Sequence, residues 1–196
     1  MGAWVLKRAI SVLIVFSVLL GVLPCIALAA DSALRFIDSM FDAEKGVFYT
    51  GTTDDGRTQS RDNIVLDAQV WAALALGEQF EPYKPAIAYT VDNLRTAQGG
   101  YAFHEDNDGG GYWLEGTAIT ALALRRLGME QEALDALSAV SDEQLSSGGL
   151  PAATVAGLTT GFDLFTGEPW RYSDKPHIAP VAWFVMAVNN FNPYEF

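Results

Sequence analysis

The sequence predicts an all-α domain of tandem antiparallel helical hairpins arranged as an open arc. Three observations carry this reading. The apolar runs Asp67–Leu76, Glu115–Leu124 and Ala179–Val188 superpose without gaps, placing Trp71, Ile119 and Trp183 in one column and Asp67, Glu115 and Ala179 in another. Each run follows a more polar, amphipathic segment. A glycine-led turn lies between the two, at Gly46-Val47-Phe48, Gly99-Gly100-Tyr101 and Gly148-Gly149-Leu150, at intervals of 53 and 49 residues. Self-similarity on that scale marks stacked supersecondary units, none of which can bury its apolar face alone.

Taken in order, the chain opens with Lys7-Arg8, an apolar run from Ala9 to Leu23 and the small-residue site Ala27-Leu28-Ala29. That order of charge, apolar stretch and small side chains reads as a secretory signal over residues 1–29, cleaved after Ala29. The alternative is a retained membrane anchor, because residues 9–30 offer 22 mostly apolar positions, enough to span a bilayer. Cys25 suggests lipidation, but Pro24 stands before it where a small residue is wanted. It is the only cysteine, so the mature domain over residues 30–196 must be held by packing without disulfides.

The amphipathic segments Ser32–Glu44, Tyr83–Gln98 and Gln131–Ser146 read as outer helices. In the third, Ala133, Leu134, Leu137, Val140 and Leu145 fall at helical spacing with acids between them. The superposed runs are apolar nearly all round, as helices buried on most faces are, and so read as inner helices. Trp71, Leu74, Leu122, Leu124, Trp183 and Val185 are expected in the core. Glycine after each outer helix takes the left-handed conformation at little cost, and the next apolar residue can fold back onto the helix just left.

These tandem hairpins with Gly-Gly-aromatic turns resemble the (α/α) toroid superfamily, and in particular a three-hairpin portion of the six-hairpin glycosidase-like proteins. The resemblance covers about residues 31–196 and implies a partial (α/α) toroid. It also implies carbohydrate-active chemistry and catalytic carboxylates at the rim of the inner helices. A closed toroid in those families has about six hairpins, so three leave apolar surface uncovered, and a homodimer or a partner subunit is expected.

Charge narrows the function classes. Lys plus Arg number 12 against 24 Asp plus Glu, and loss of Lys7 and Arg8 with the leader takes the net charge from −12 to −14. Such a surface repels phosphate backbones and anionic lipid, which argues against nucleic-acid binding and against membrane contact unless the N-terminal segment is retained. The leader implies a secreted or periplasmic location. No phosphate-binding loop, dinucleotide fingerprint or serine-hydrolase elbow occurs.

The loops between outer and inner helices, about residues 46–62, 99–113 and 147–177, are long and share one place in the repeat, so they emerge on one face. Function concentrates where such loops converge on a rigid scaffold. Tyr112, Trp113, Trp170, Arg171, Tyr172 and His177 interleave aromatic rings with cations there. Flat rings stack on sugar faces and polar groups bond hydroxyls, so these six are the candidate substrate-binding residues. The alternative is that the tryptophans merely plug the open end of the core.

Asp67 and Glu115 share a column near the N-termini of neighbouring inner helices. Helix axes pack about 8–10 Å apart, so the carboxyls fall roughly 6–10 Å from each other. That range admits a water between a general acid and a general base, as inverting glycoside hydrolysis requires. The competing role is electrostatic, since an acid in a helix's first turn is stabilised by the partial positive charge there. Two further readings stay open. One is a polysaccharide lyase using Tyr172 or His177 as base with Arg171 neutralising a uronate; the other is a non-catalytic scaffold that binds a glycan or a protein. The stretch His104–Gly111 has the oxygen ligands of a calcium loop but Thr117 where a terminal acid belongs. It reads as a solvated acidic turn, and no metal or other cofactor is expected.

Overall fold

The computed structural model describes residues 28–107 and 110–195. The chain divides into two compact units, Met1–Ser39 and Met40–Phe196. In the first, the described residues are all helical and belong to α1, which spans 28–40. Ser32 Oγ donates to Leu28 O at 2.8 Å within it. The expected leader, residues 1–29, lies outside the described residues except for its last two, which begin α1. Among the described residues no helix is long and apolar enough to cross a membrane.

The second unit opens with a tight hairpin of β1 (Phe41–Asp42) and β2 (Val47–Phe48). The three expected inner helices follow as α2 (Leu66–Leu76), α4 (Leu114–Arg126) and α6 (Ile178–Val188), and the third outer helix as α5 (Glu130–Asp142). The second outer helix is shorter than Tyr83–Gln98. A 3-10 segment leads to α3 (Pro85–Tyr89), which continues as a π-helical turn to Leu94. It stops there because Leu94 O accepts from Ala102 N at 2.8 Å and Arg95 is extended, bridged to Tyr101. The glycine turns behave as expected, with Gly46, Gly99 and Gly148 at φ of 70, 90 and 84°.

The fold is mostly helical but not purely α. The third long loop folds β4 (Leu158–Asp163) against β5 (Pro169–Tyr172), and β3 (Leu150–Pro151) pairs with β6 (Pro176–His177). Leu158-Thr-Thr-Gly-Phe-Asp and Pro-Trp-Arg-Tyr flank a glycine turn, and β-branched and aromatic residues around such a turn favour a hairpin. The expectation of helices alone is corrected by this excursion.

Helix α4 packs against α2, α5 and α6, and every residue from Gly116 to Leu124 is buried. Leu74, Leu122 and Leu124 lie in the core as expected. Trp71 and Val185 do not, being 41% and 55% exposed, and Trp183 is half-buried. The cause is position. Among the described residues only α4 has an inner helix on both sides, so α2 and α6 each keep a face that no described inner helix covers, which on α6 shows Ile178, Ala182 and Val185 at i, i+4 and i+7.

Backbone bonds between successive repeats fix the register of the inner helices. Leu66 N donates to Phe103 O at 2.8 Å, and Leu114 N donates to Ala152 O at 3.2 Å. Neither Val65 nor Trp113, the residues before the helices, caps them with a side chain, so a strand of the next repeat supplies a partner for amides that would otherwise be orphaned. At α6 the His177 side chain does this instead, accepting from Ala179 N at 3.4 Å. Polar residues at a second shared column tie α2 and α4 each to its own repeat. Gln69 accepts from Phe48 N at 2.7 Å and donates to Phe48 O at 2.9 Å. Thr117 accepts from Tyr101 N at 2.9 Å.

Gln69→Ala strands both buried polar groups of Phe48. It is expected to cost about 2–4 kcal/mol at roughly 1–3 kcal/mol per unsatisfied group, read as a lower urea midpoint. An unchanged midpoint would show that water replaces the amide without loss.

Candidate functional site

Because α2 begins at Leu66 and α4 at Leu114, Asp67 and Glu115 occupy the same second position of adjacent inner helices. Both line one cavity of about 430 Å³, within the range of small-molecule sites. Trp71, one turn along α2 from Asp67, forms a wall together with Phe103 and Trp113. The β4–β5 hairpin supplies the facing aromatics Phe162, Trp170 and Tyr172. The rings pack in sequence: Phe103 meets Trp113 edge-on at 4.9 Å, Trp113 stacks on Tyr172 at 5.5 Å, and Trp170 lies 6.0 Å from Tyr172.

Local constraints hold this wall in place. Trp113 lies directly on Gly116, where any Cβ would collide with its ring and with Leu66. Asn63 Nδ2 donates to Gly161 O at 2.6 Å, which pins the hairpin to the first long loop. Gly161 has a φ of 74° and faces that same asparagine, so a side chain there meets both backbone strain and a clash.

Burial dominates the electrostatics. It raises the pKa of Asp67, against the opposing bond from Ala68 N at 2.8 Å. Burial also raises Glu115, with the charge of Asp67 adding to the rise, while His177 and a hydrogen bond from Trp183 act the other way. Tyr172 is raised by burial and then by the charges of Glu115 and Asp67. Perturbed acids that share a cavity are a recognised mark of functional sites, although ion-pair networks also produce them. Here no Lys or Arg is found among the described residues of the lining.

Five of the candidate residues therefore meet in one cavity: Asp67, Glu115, Trp113, Trp170 and Tyr172. The other three do not line it. Tyr112 is buried on the opposite side, where its hydroxyl donates to Ala139 O at 2.9 Å and its ring lies against Gly100. Arg171 donates to Gly157 O at 2.9 Å. Both corrections have one cause: successive residues of an extended segment point to opposite faces, so Trp113 excludes Tyr112, and Trp170 with Tyr172 exclude Arg171. His177 caps α6 and is exposed, and only its charge reaches Glu115. Trp71, Phe162 and Trp183 were not among the candidates. The signal for Trp71 lay in its i+4 spacing from Asp67, which puts both on one helix face.

No family model and no curated protein matches this chain. Solved structures do match in fold. One is a possible member of the GH105 family from Klebsiella pneumoniae subsp. pneumoniae MGH 78578, with a TM-score of 0.62 and 15% identity over 84% of this chain and 49% of that one. A second possible member, from Salmonella enterica subsp. enterica serovar Paratyphi A str. ATCC 9150, gives 0.59 and 16% over 85% and 50%. The glycoside hydrolase from family 105 of C. acetobutylicum ATCC 824 gives 0.54 and 14% over 80% and 55%. The chain thus spans about half the length of these structures, and at such identities the likeness is one of fold.

The raised carboxyls set the sign of a pH effect. A folded state that holds protons more tightly than the unfolded chain loses stability as pH rises through the window above the ordinary carboxylate value. Asp67→Asn removes that loss while keeping an acceptor for Ala68 N. It is expected to melt at or above the parent at neutral pH, with the gap closing as pH falls toward about 4, the ordinary range of an aspartate. A variant that melts below the parent at neutral pH and level with it near pH 4 would show that the charge itself stabilises the helix.

Proposed function

We propose that this chain is an exported carbohydrate-active protein that hydrolyses a glycosidic bond with Asp67 and Glu115. The observation that carries the reading is two carboxyls with raised pKa values facing one aromatic-lined cleft from equivalent positions on adjacent helices. The fold likeness to structures named for glycoside hydrolase family 105 supports it. Export rests on the leader-like pattern of residues 1–29.

The surroundings of the two acids assign their roles. Asp67 is raised by burial with only backbone amides opposing, which suits a proton donor to the leaving oxygen. Burial raises Glu115 too, with the charge of Asp67 adding to the rise, but His177 and the Trp183 hydrogen bond favour its charged form, which suits a base that takes a proton from water as it attacks the anomeric carbon. The proton given by Asp67 departs with the leaving hydroxyl, and the one taken by Glu115 restores the pair after exchange with solvent. Trp71 and Trp170, 41% and 44% exposed at the cleft, offer stacking faces for the sugar. A lyase is the weaker reading because Arg171, its expected cation, is absent from the lining. The expected second copy belongs to this proposal as well, covering Ile178, Val185 and Phe191, which are 76%, 55% and 57% exposed.

Glu115→Gln is expected to lower turnover by about 100-fold or more, the scale for losing a general base, with sugar affinity nearly unchanged on an oligosaccharide panel. Asp67→Asn is expected to lose as much on natural glycosides but to recover on aryl glycosides, whose leaving groups need no proton. Binding without cleavage by the parent would favour the scaffold reading. Light scattering is expected to find a dimer, and a monomer at high concentration would remove the second copy.

A further inference from the structure

The cleft joins features that together select the charge of its ligand. Two carboxyls line it together with six aromatic residues, and no Lys or Arg is among its described lining. The nearest guanidinium in the wall strand, Arg171, is turned to Gly157 O at 2.9 Å. Arg61 lies over the Tyr49 ring at 5.3 Å, and Tyr49 does not line the cleft. The charged and titratable groups that reach Glu115 are Asp67, Tyr172 and His177. Of these only His177 can be cationic, and it caps α6 outside the lining, its Nδ1 meeting Ala179 N at 3.4 Å.

An anionic sugar entering this space would meet two acids and no Lys or Arg of the described lining, in a protein of net charge −12. A protonated amine would meet the opposite. It neutralises carboxylate repulsion in a partly desolvated site, where charge interactions are strong, and it is attracted to the faces of tryptophan and tyrosine. Exposed Trp71 and Trp170 place such faces at the cleft, within the same lining as Asp67.

We propose that the cleft takes an amino sugar bearing a free, positively charged amine, held between its pair of carboxyls and the aromatic walls, and discriminates against uronates. This rests on the carbohydrate reading of the same site. The test is calorimetric titration of the full chain with three oligosaccharide series: glucosamine, its N-acetylated counterpart and galacturonate. It is run at a pH of about 6, where an amine of ordinary pKa near 8 is charged.

The glucosamine series is expected to bind at least about tenfold more tightly than either of the others. That preference should weaken with added salt and shrink severalfold in Asp67→Asn. Trp170→Ala, on the exposed hairpin, should weaken all sugars while leaving the order intact. Equal or tighter binding of the N-acetylated or galacturonate series would overturn the amino-sugar proposal and leave the carbohydrate reading standing. Failure of all three series to bind would overturn both.

Discussion

The first amide of α2 and the first amide of α4 each find their acceptor in the following repeat, at Phe103 O and Ala152 O. Much of the site follows from that constraint. A helix start is expensive to leave unbonded, so the strand after each glycine turn must lie across the start of the preceding inner helix. The residue one step into the helix is then held at the rim beside that strand. In the first two repeats that residue is an acid, and the repeat turns one local bond pattern into a pair of carboxyls on neighbouring helices. Gln69 and Thr117, two positions later, lock the same helices to their own strands.

The aromatic wall depends on a different economy of space. Trp113 precedes α4 and can lie flat only because Gly116 leaves room beneath it. Tyr172 then stacks on Trp113, and Trp170 follows from the same strand. The hairpin thus closes the cleft by packing on the scaffold, and a hydrogen bond from Asn63 to Gly161 O ties it to the first loop. Burial is the main cause of the raised pKa of the acids, and this wall lines the same cavity as they do.

Inner helices, glycine turns and the shared acid column were legible in the sequence because each depends on local composition or on spacing repeated three times. The β4–β5 hairpin was not, since it occurs once and has no counterpart in the other repeats. Side-chain facing was legible on helices, where Asp67 and Glu115 were paired by column. It failed in the loops, where Tyr112 and Arg171 were grouped with neighbours that point the other way. Trp71 and Val185 were misplaced for a further reason: apolar periodicity says that a face wants cover, and only the order of packing says whether a neighbour supplies it.

The central claim is that the repeat brings Asp67 and Glu115 together in one desolvated cleft. Carbon-detected NMR titration of the side-chain carboxyls measures this directly, in the parent chain and in Asp67→Asn. The account predicts that both groups titrate above the ordinary range of their residue types, and that Glu115 titrates lower once residue 67 is neutral. Midpoints at or below the ordinary range, or a Glu115 midpoint indifferent to Asp67→Asn, would contradict it.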